Sequence, residues 1–174
     1  MAAISSEGLL KYALAADIEL LAAQKKLADT VANSPVWEGW EGSVLGFVGV
    51  QGADNKLSSF LCAFSGIALH QEGVSSIKKI LEDNKIQGKP VTLINAVAVS
   101  SFVKKHTSSG SNIGCVEKKL ISYATQNGLR FEHNTLAAFQ VGKSSVGNDG
   151  SRYVVYVEPC LSCVQVIIKC STFW

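Results

Sequence analysis

The chain has 174 residues, 47% of them apolar and 17% charged, with a net charge of +2. That is long enough for one domain with its own core and too apolar for a disordered chain. The charge is too small to demand a nucleic-acid partner and too small to exclude one, because local patches decide that question.

Five cysteines, Cys62, Cys115, Cys160, Cys163 and Cys170, are an odd number. They argue against a fully paired disulfide framework and for metal or thiol chemistry in a reducing compartment. The chain does not open with a basic segment followed by a continuous apolar core, so no signal peptide is expected. It holds no run of about 18 uncharged apolar residues, so no transmembrane helix is expected either. The expected site of action is cytoplasmic, and a specialised secretion system could deliver the chain into a target cell without leaving such a mark.

Residues 6–32 read as a helix, capped by Ser5 or Ser6 and packed on the domain through Leu10, Leu14, Ile18, Leu21 and Ala28. Asn33, Ser34 and Pro35 end it. A turn-rich link follows with Trp37 and Trp40, more suited to buried anchors than to stacking on bases. Residues 43–50 and 57–67 are β-type runs around a Gly-Asp-Asn hairpin loop. Residues 74–86 read as a helix with Ile77, Ile80, Leu81 and Ile86 inward, stopped by Gly88 and Pro90. Residues 91–99 read as a strand buried on both faces. A polar loop over 104–112 leads to a helix over 113–127 that Gly128 terminates. Strands over 135–141 and 152–157 flank a polar linker, and a last helix runs from Cys160 to about Lys169. This order of elements predicts a single α/β domain over 1–174, with residues 1–34 as its N-terminal helix.

Two short motifs carry the chemistry. Cys115 and Glu117 fall in the first turn of one predicted helix, and Cys160 and Cys163 in the first turn of another. Residues i and i+3 share a helix face, so Cys160 and Cys163 are placed to grip one ion. Helix N-termini favour thiolates through their free N–H groups and positive dipole end. Three thiolates leave one tetrahedral position of a zinc ion open, as a catalytic site does. A carboxylate two residues beyond a ligand at a first turn reaches a water held there and moves its proton. Three thiolates and Zn²⁺ sum to −1, so a compensating cation or the helix termini are needed. Arg130, Arg152, Lys118 and Lys119 are the candidates.

Cys115-Val-Glu117 followed by Pro159-Cys160-Leu-Ser-Cys163 resembles the zinc-dependent cytidine deaminase superfamily, whose pattern is His or Cys, any residue, Glu, then Pro-Cys-x-x-Cys. The strand leading into Pro159 is similar to that family's delivery of its second motif. The resemblance implies a three-layer fold, a mixed β-sheet with helices on both faces. It also implies zinc held by Cys115, Cys160 and Cys163, and Glu117 as proton shuttle in hydrolytic deamination of cytosine. The long separation of the motifs and the few residues after Cys163 place the resemblance with divergent, bacterial toxin-type members. That branch implies nucleic acid, DNA or RNA, as substrate ahead of a free nucleoside, and an inhibitory immunity protein as partner. Lys104-Lys105 and Lys118-Lys119 give the site a local basic tendency that would attract phosphate, although a solvated face is their default reading. His106, Asn112 and Tyr156 are candidate substrate contacts. A free cytidine or purine nucleoside is the alternative substrate. The competing class is a binding module whose structural zinc takes a fourth ligand from His133 or His106, and a metal-free fold with buried thiols is the third reading. Cys62 and Cys170 are expected in the core.

Overall fold

A computed structural model of the chain describes residues 17–34, 43–66, 71–95, 103, 114–143 and 151–170. Helix α1 (Ile18–Ala32) begins where Asp17 takes an extended conformation and its carboxylate accepts the N–H groups of Glu19 and Leu20 at 2.9 and 3.2 Å. The helix expected over 6–32 therefore has a start at Ile18, where that carboxylate caps it, and residues 6–16 lie outside the described residues. Ile18, expected to face inward, is 82% exposed, and the buried stripe is Leu20, Gln24, Leu27, Ala28 and Val31. Asn33 ends the helix as its sequence predicts. Leu10, Leu14, Trp37 and Trp40 lie outside the described residues.

Strands β1 (Val44–Gln51) and β2 (Leu57–Phe64) form the expected hairpin, with Leu45 opposite Phe64 and Val50 opposite Ser59. Its loop closes through Gly52 N–H to the Lys56 carbonyl at 2.9 Å, with Asn55 at φ 59°. Helix α2 (Gln71–Asp83) starts three residues before the expected position and stops three earlier. The Asn84 side chain takes the Ile80 carbonyl at 2.8 Å and ends it. Ile77 and Leu81 are buried as expected. Ile86 is also buried, but from a tight turn in which it and Lys89 exchange backbone hydrogen bonds around Gln87 and Gly88, both at positive φ.

Strand β3 (Val91–Leu93) is three residues long, parallel to β2 and at the edge of the sheet. The expected burial on both faces fails at Thr92, which is exposed, while Val91 and Leu93 are buried in one core layer and Ile94 in the other. Residues 96–99 lie outside the described part. Helix α3 (Val116–Gln126) leads through Gly128, at φ 64°, into β4 (Phe131–Lys143). That strand is longer than expected because Phe131 and Glu132 continue the pairing with β1 beyond a bulge. At the bulge the Thr135 hydroxyl accepts the Gly49 N–H at 2.6 Å and donates to the Glu132 carbonyl at 2.6 Å, replacing ladder bonds that the shift removes. Strand β5 (Arg152–Val157) and helix α4 (Leu161–Cys170) complete the described elements.

The sheet order is β3-β2-β1-β4-β5, antiparallel except for β2 and β3. One face buries Leu45, Phe47, Phe60, Phe139 and Val154 under α1 and α2. The other buries Val48, Leu61, Phe131 and Ala138 under Val116, Leu120 and Ile121 of α3 and Val166 and Ile167 of α4. The fold is thus α/β in three layers, a mixed sheet with helices on both faces, as predicted. Phe47 and Phe139 meet edge to face at 6.2 Å in the first layer contact. No helix among the described residues is long and apolar enough to cross a membrane.

Candidate metal centre

The sheet brings the two motifs together. Gly46, Ala138 and Val157 lie in one row across β1, β4 and β5. A side chain at Gly46 would come within 2.8 Å of the methyls of Val116, so the glycine lets the start of α3 rest directly on β1. Beyond Val157 the chain turns at Pro159 and starts α4 beside α3. The Val164 N–H reaches the Cys160 carbonyl at 2.9 Å and the Lys119 N–H reaches the Cys115 carbonyl at 3.2 Å. Cys115 and Cys160 are therefore the capping residues just before their helices, one position earlier than the first-turn placement expected from sequence.

The sulfurs of Cys115, Cys160 and Cys163 all lie within 4.8 Å of one another. A tetrahedral zinc–thiolate site needs sulfurs about 3.8 Å apart, which follows from Zn–S bonds of about 2.3 Å. Sulfurs gathered within 4.8 Å of one another could hold a metal ion. Cys163 is buried, Cys115 half-buried and Cys160 exposed, so the cluster opens to solvent on one side. The Ser162 hydroxyl, between the two α4 cysteines, is buried without a hydrogen-bond partner, the kind of atom that a bound group satisfies.

Electrostatics separates the three thiols. Burial raises the proton affinity of Cys163 most, and the nearby Glu117 carboxylate and Cys115 add to it. Burial also raises Cys115, against a hydrogen bond from Cys163 and the attraction of Lys118. Cys160 falls below the ordinary thiol value. Its burial is outweighed by the backbone N–H of Cys163, the Cys163 thiol, the Lys118 ammonium and the backbone N–H of Ser162. This is the helix N-terminus acting on a capping thiolate.

Glu117 completes the group. It is 6% exposed, and its Oε2 accepts from the Cys163 sulfur at 3.6 Å. Burial pushes its proton affinity up, against hydrogen bonds from its own backbone N–H and from Cys163 and the attraction of Lys118. A buried carboxylate with a raised pKa beside three thiols is suited to taking and returning a proton.

The lysines differ from the expected solvated face. Lys118 is fully buried and Lys119 8% exposed, because α3 begins between the sheet and α4 and buries every residue from Val116 to Ser122. Of the four candidate cations, Lys118 is the one whose charge acts on Cys115, Cys160 and Glu117. Arg130 instead binds the Asn55 side chain at 2.7 Å, and Arg152 reaches the Ala32 carbonyl at 3.2 Å at the end of α1. The clue in the sequence was spacing, since residues three and four beyond Cys115 share its side of a helix.

His133 is not in the thiol group, and its neighbour Glu132 pairs with Gly49, several residues from the Gly46 row. Tyr156 packs edge to face on Phe139 at 6.1 Å, on the α1 and α2 side, with its hydroxyl within electrostatic reach of Glu158 and Glu117. His70, His106 and Asn112 lie outside the described residues, as do Lys104 and Lys105. Cys62 is a core residue, as expected, while the side chain of Cys170 is outside the described part. No family model, no curated protein and no solved structure matches the chain.

Proposed function

We propose that the chain is a zinc-dependent hydrolytic deaminase of cytosine bases, with Cys115, Cys160 and Cys163 as ligands and Glu117 as the proton-transferring residue. The observation that carries this reading is the buried Glu117 carboxylate in contact with Cys163 of the three-thiol group. A structural site has little use for a desolvated acid at its edge, whereas hydrolysis of an amine-bearing carbon needs one. Zinc in this site would supply Lewis acidity that makes a water a nucleophile at neutral pH. Glu117 Oε2 then takes a proton from the attacking water and hands it to the departing nitrogen. The water oxygen bonds to the ring carbon, the carbon–nitrogen bond breaks, and ammonia leaves.

Three thiolates, a divalent ion and the Lys118 ammonium sum to zero, so the ionised Glu117 carboxylate leaves one negative charge, which the proton it takes cancels. The open side at Cys160 is where a base would enter. A base carried in nucleic acid is proposed on Lys104, Lys105 and the segments inserted around the two motifs. Lys118 and Lys119 lend it no support because they are buried. An inhibitory partner protein belongs to the same proposal.

The test is Glu117→Ala assayed on cytidine, single-stranded DNA, duplex DNA and RNA by ammonia release and sequencing. The wild-type chain is expected to deaminate at least one, and the variant to keep its zinc and lose all activity. A wild-type protein that binds zinc and deaminates none of these supports the binding-module reading instead. Activity on cytidine alone contradicts the nucleic-acid substrate.

A further inference from the structure

The start of α3 carries Cys115 at the cap and Glu117 in the first turn, and one side chain ties that start to the sheet. Lys119 Nζ donates to the Phe64 carbonyl at 2.8 Å and to the Gly66 carbonyl at 2.7 Å. Phe64 is the last residue of β2, and the Ser65 that follows is bonded into β1 by its N–H to the Val44 carbonyl at 2.7 Å and by its hydroxyl to the Val44 N–H at 2.9 Å. The Gly66 N–H returns to the Gly114 carbonyl at 3.3 Å, one residue before Cys115. The Lys119 backbone N–H in turn holds the Cys115 carbonyl at 3.2 Å. A closed ring of hydrogen bonds thus runs from the end of β2 to Gly114, through Cys115 to Lys119, and back to β2.

An ammonium buried on two carbonyls is desolvated at a cost that a surface lysine avoids, so its position has to be held by its partners. Gly66 takes φ 76° so that its carbonyl and N–H serve Lys119 and Gly114 together.

We infer that Lys119 is a positioning residue for the proposed metal centre, an ammonium tether that fixes the start of α3, and with it Cys115 and Glu117, against the end of β2. The inference rests on the metal reading above and concerns a residue outside the ligand set. Groups that orient ligands from one step away are worth about 10–100-fold in metal affinity. A role in stability alone would lower the unfolding temperature without changing the ligand geometry of the folded protein.

The experiment compares the full chain with Lys119→Met, Lys119→Gln and Lys119→Arg. It reads zinc affinity by competition with a chelating dye and the thiolate-to-metal charge-transfer band of the cobalt-loaded protein. Lys119→Met is expected to bind zinc about 10–100-fold more weakly with an altered cobalt band, and Lys119→Arg, which keeps two donors, to recover most of both. A folded Lys119→Met with wild-type affinity and an unchanged band overturns the inference. Should Lys119→Met not fold, Lys119→Gln, whose amide is too short to reach both carbonyls, decides by the same two readouts. A wild-type chain that takes up neither zinc nor cobalt overturns the metal reading and this inference with it. Wild-type binding that survives Lys119→Met unaltered overturns this inference alone.

Discussion

Glu117 carries a stability cost that its proposed role in proton transfer would explain. Burial raises its proton affinity in the folded chain above the ordinary glutamate value. The native state therefore binds more protons than the unfolded state between those two values, and stability is lost as pH rises through that window. Above the ordinary glutamate value the desolvation of this carboxylate works against folding. Glu117→Gln keeps the shape and removes the charge, so the metal-free variant is expected to be more stable than wild type at pH 7 by about 0.5–2 kcal/mol. The gap should close as pH falls below the ordinary glutamate range, where wild type is protonated in both states. Denaturant unfolding of the two proteins across that range measures it, and a Glu117→Gln that is less stable at pH 7 contradicts the placement. The four residues of the site were legible in the sequence because i, i+3 spacing and helix starts are local features. The burial of Lys118 and Lys119 was not, because paired lysines on a helix are ordinarily solvated and only the docking of α4 and the end of β2 encloses them.

Among the elements, the start of α3 rests on β1 at Gly46. A methyl at Gly46 would stand 2.8 and 2.9 Å from the two Val116 methyls, and Val116 lies between Cys115 and Glu117. Gly46→Ala must push the start of α3 off the sheet, and overpacking of this kind costs about 1–3 kcal/mol. The same displacement moves Cys115 from Cys160 and Cys163, so zinc binding should weaken along with stability. Val116→Ala, added to Gly46→Ala, makes room for the methyl and should restore part of both losses. A double-mutant cycle read by denaturant unfolding and zinc titration checks this, and additive effects would contradict the contact. Elements bounded by turn residues were legible, as β1, β2 and β5 show. The start of α1 was missed because Leu10, Leu14, Ile18 and Leu21 keep helical spacing in the sequence straight through Asp17, and only the capping carboxylate marks where α1 begins. The run after Pro90 reads as a central strand by composition, yet the short β3 pairs with β2 alone and leaves Thr92 in solvent.

At the scale of the molecule, the sheet separates two tasks. Its α1 and α2 face is an apolar layer built on Phe47, Phe60 and Phe139, while its α3 and α4 face sets two helix starts side by side with their thiols converging. Alternation along the strands predicts that two such faces exist. It does not say which helices share a face, because that depends on the sheet order and on the β4–β5 pairing that carries Pro159 to the start of α3. The central claim is that this convergence makes one metal centre. Elemental analysis of the full chain purified without chelators tests it most directly. One zinc ion per chain is expected in the wild-type protein and none in a folded Cys163→Ala. A metal-free wild type, or a Cys163→Ala variant that retains its full zinc content, would contradict it.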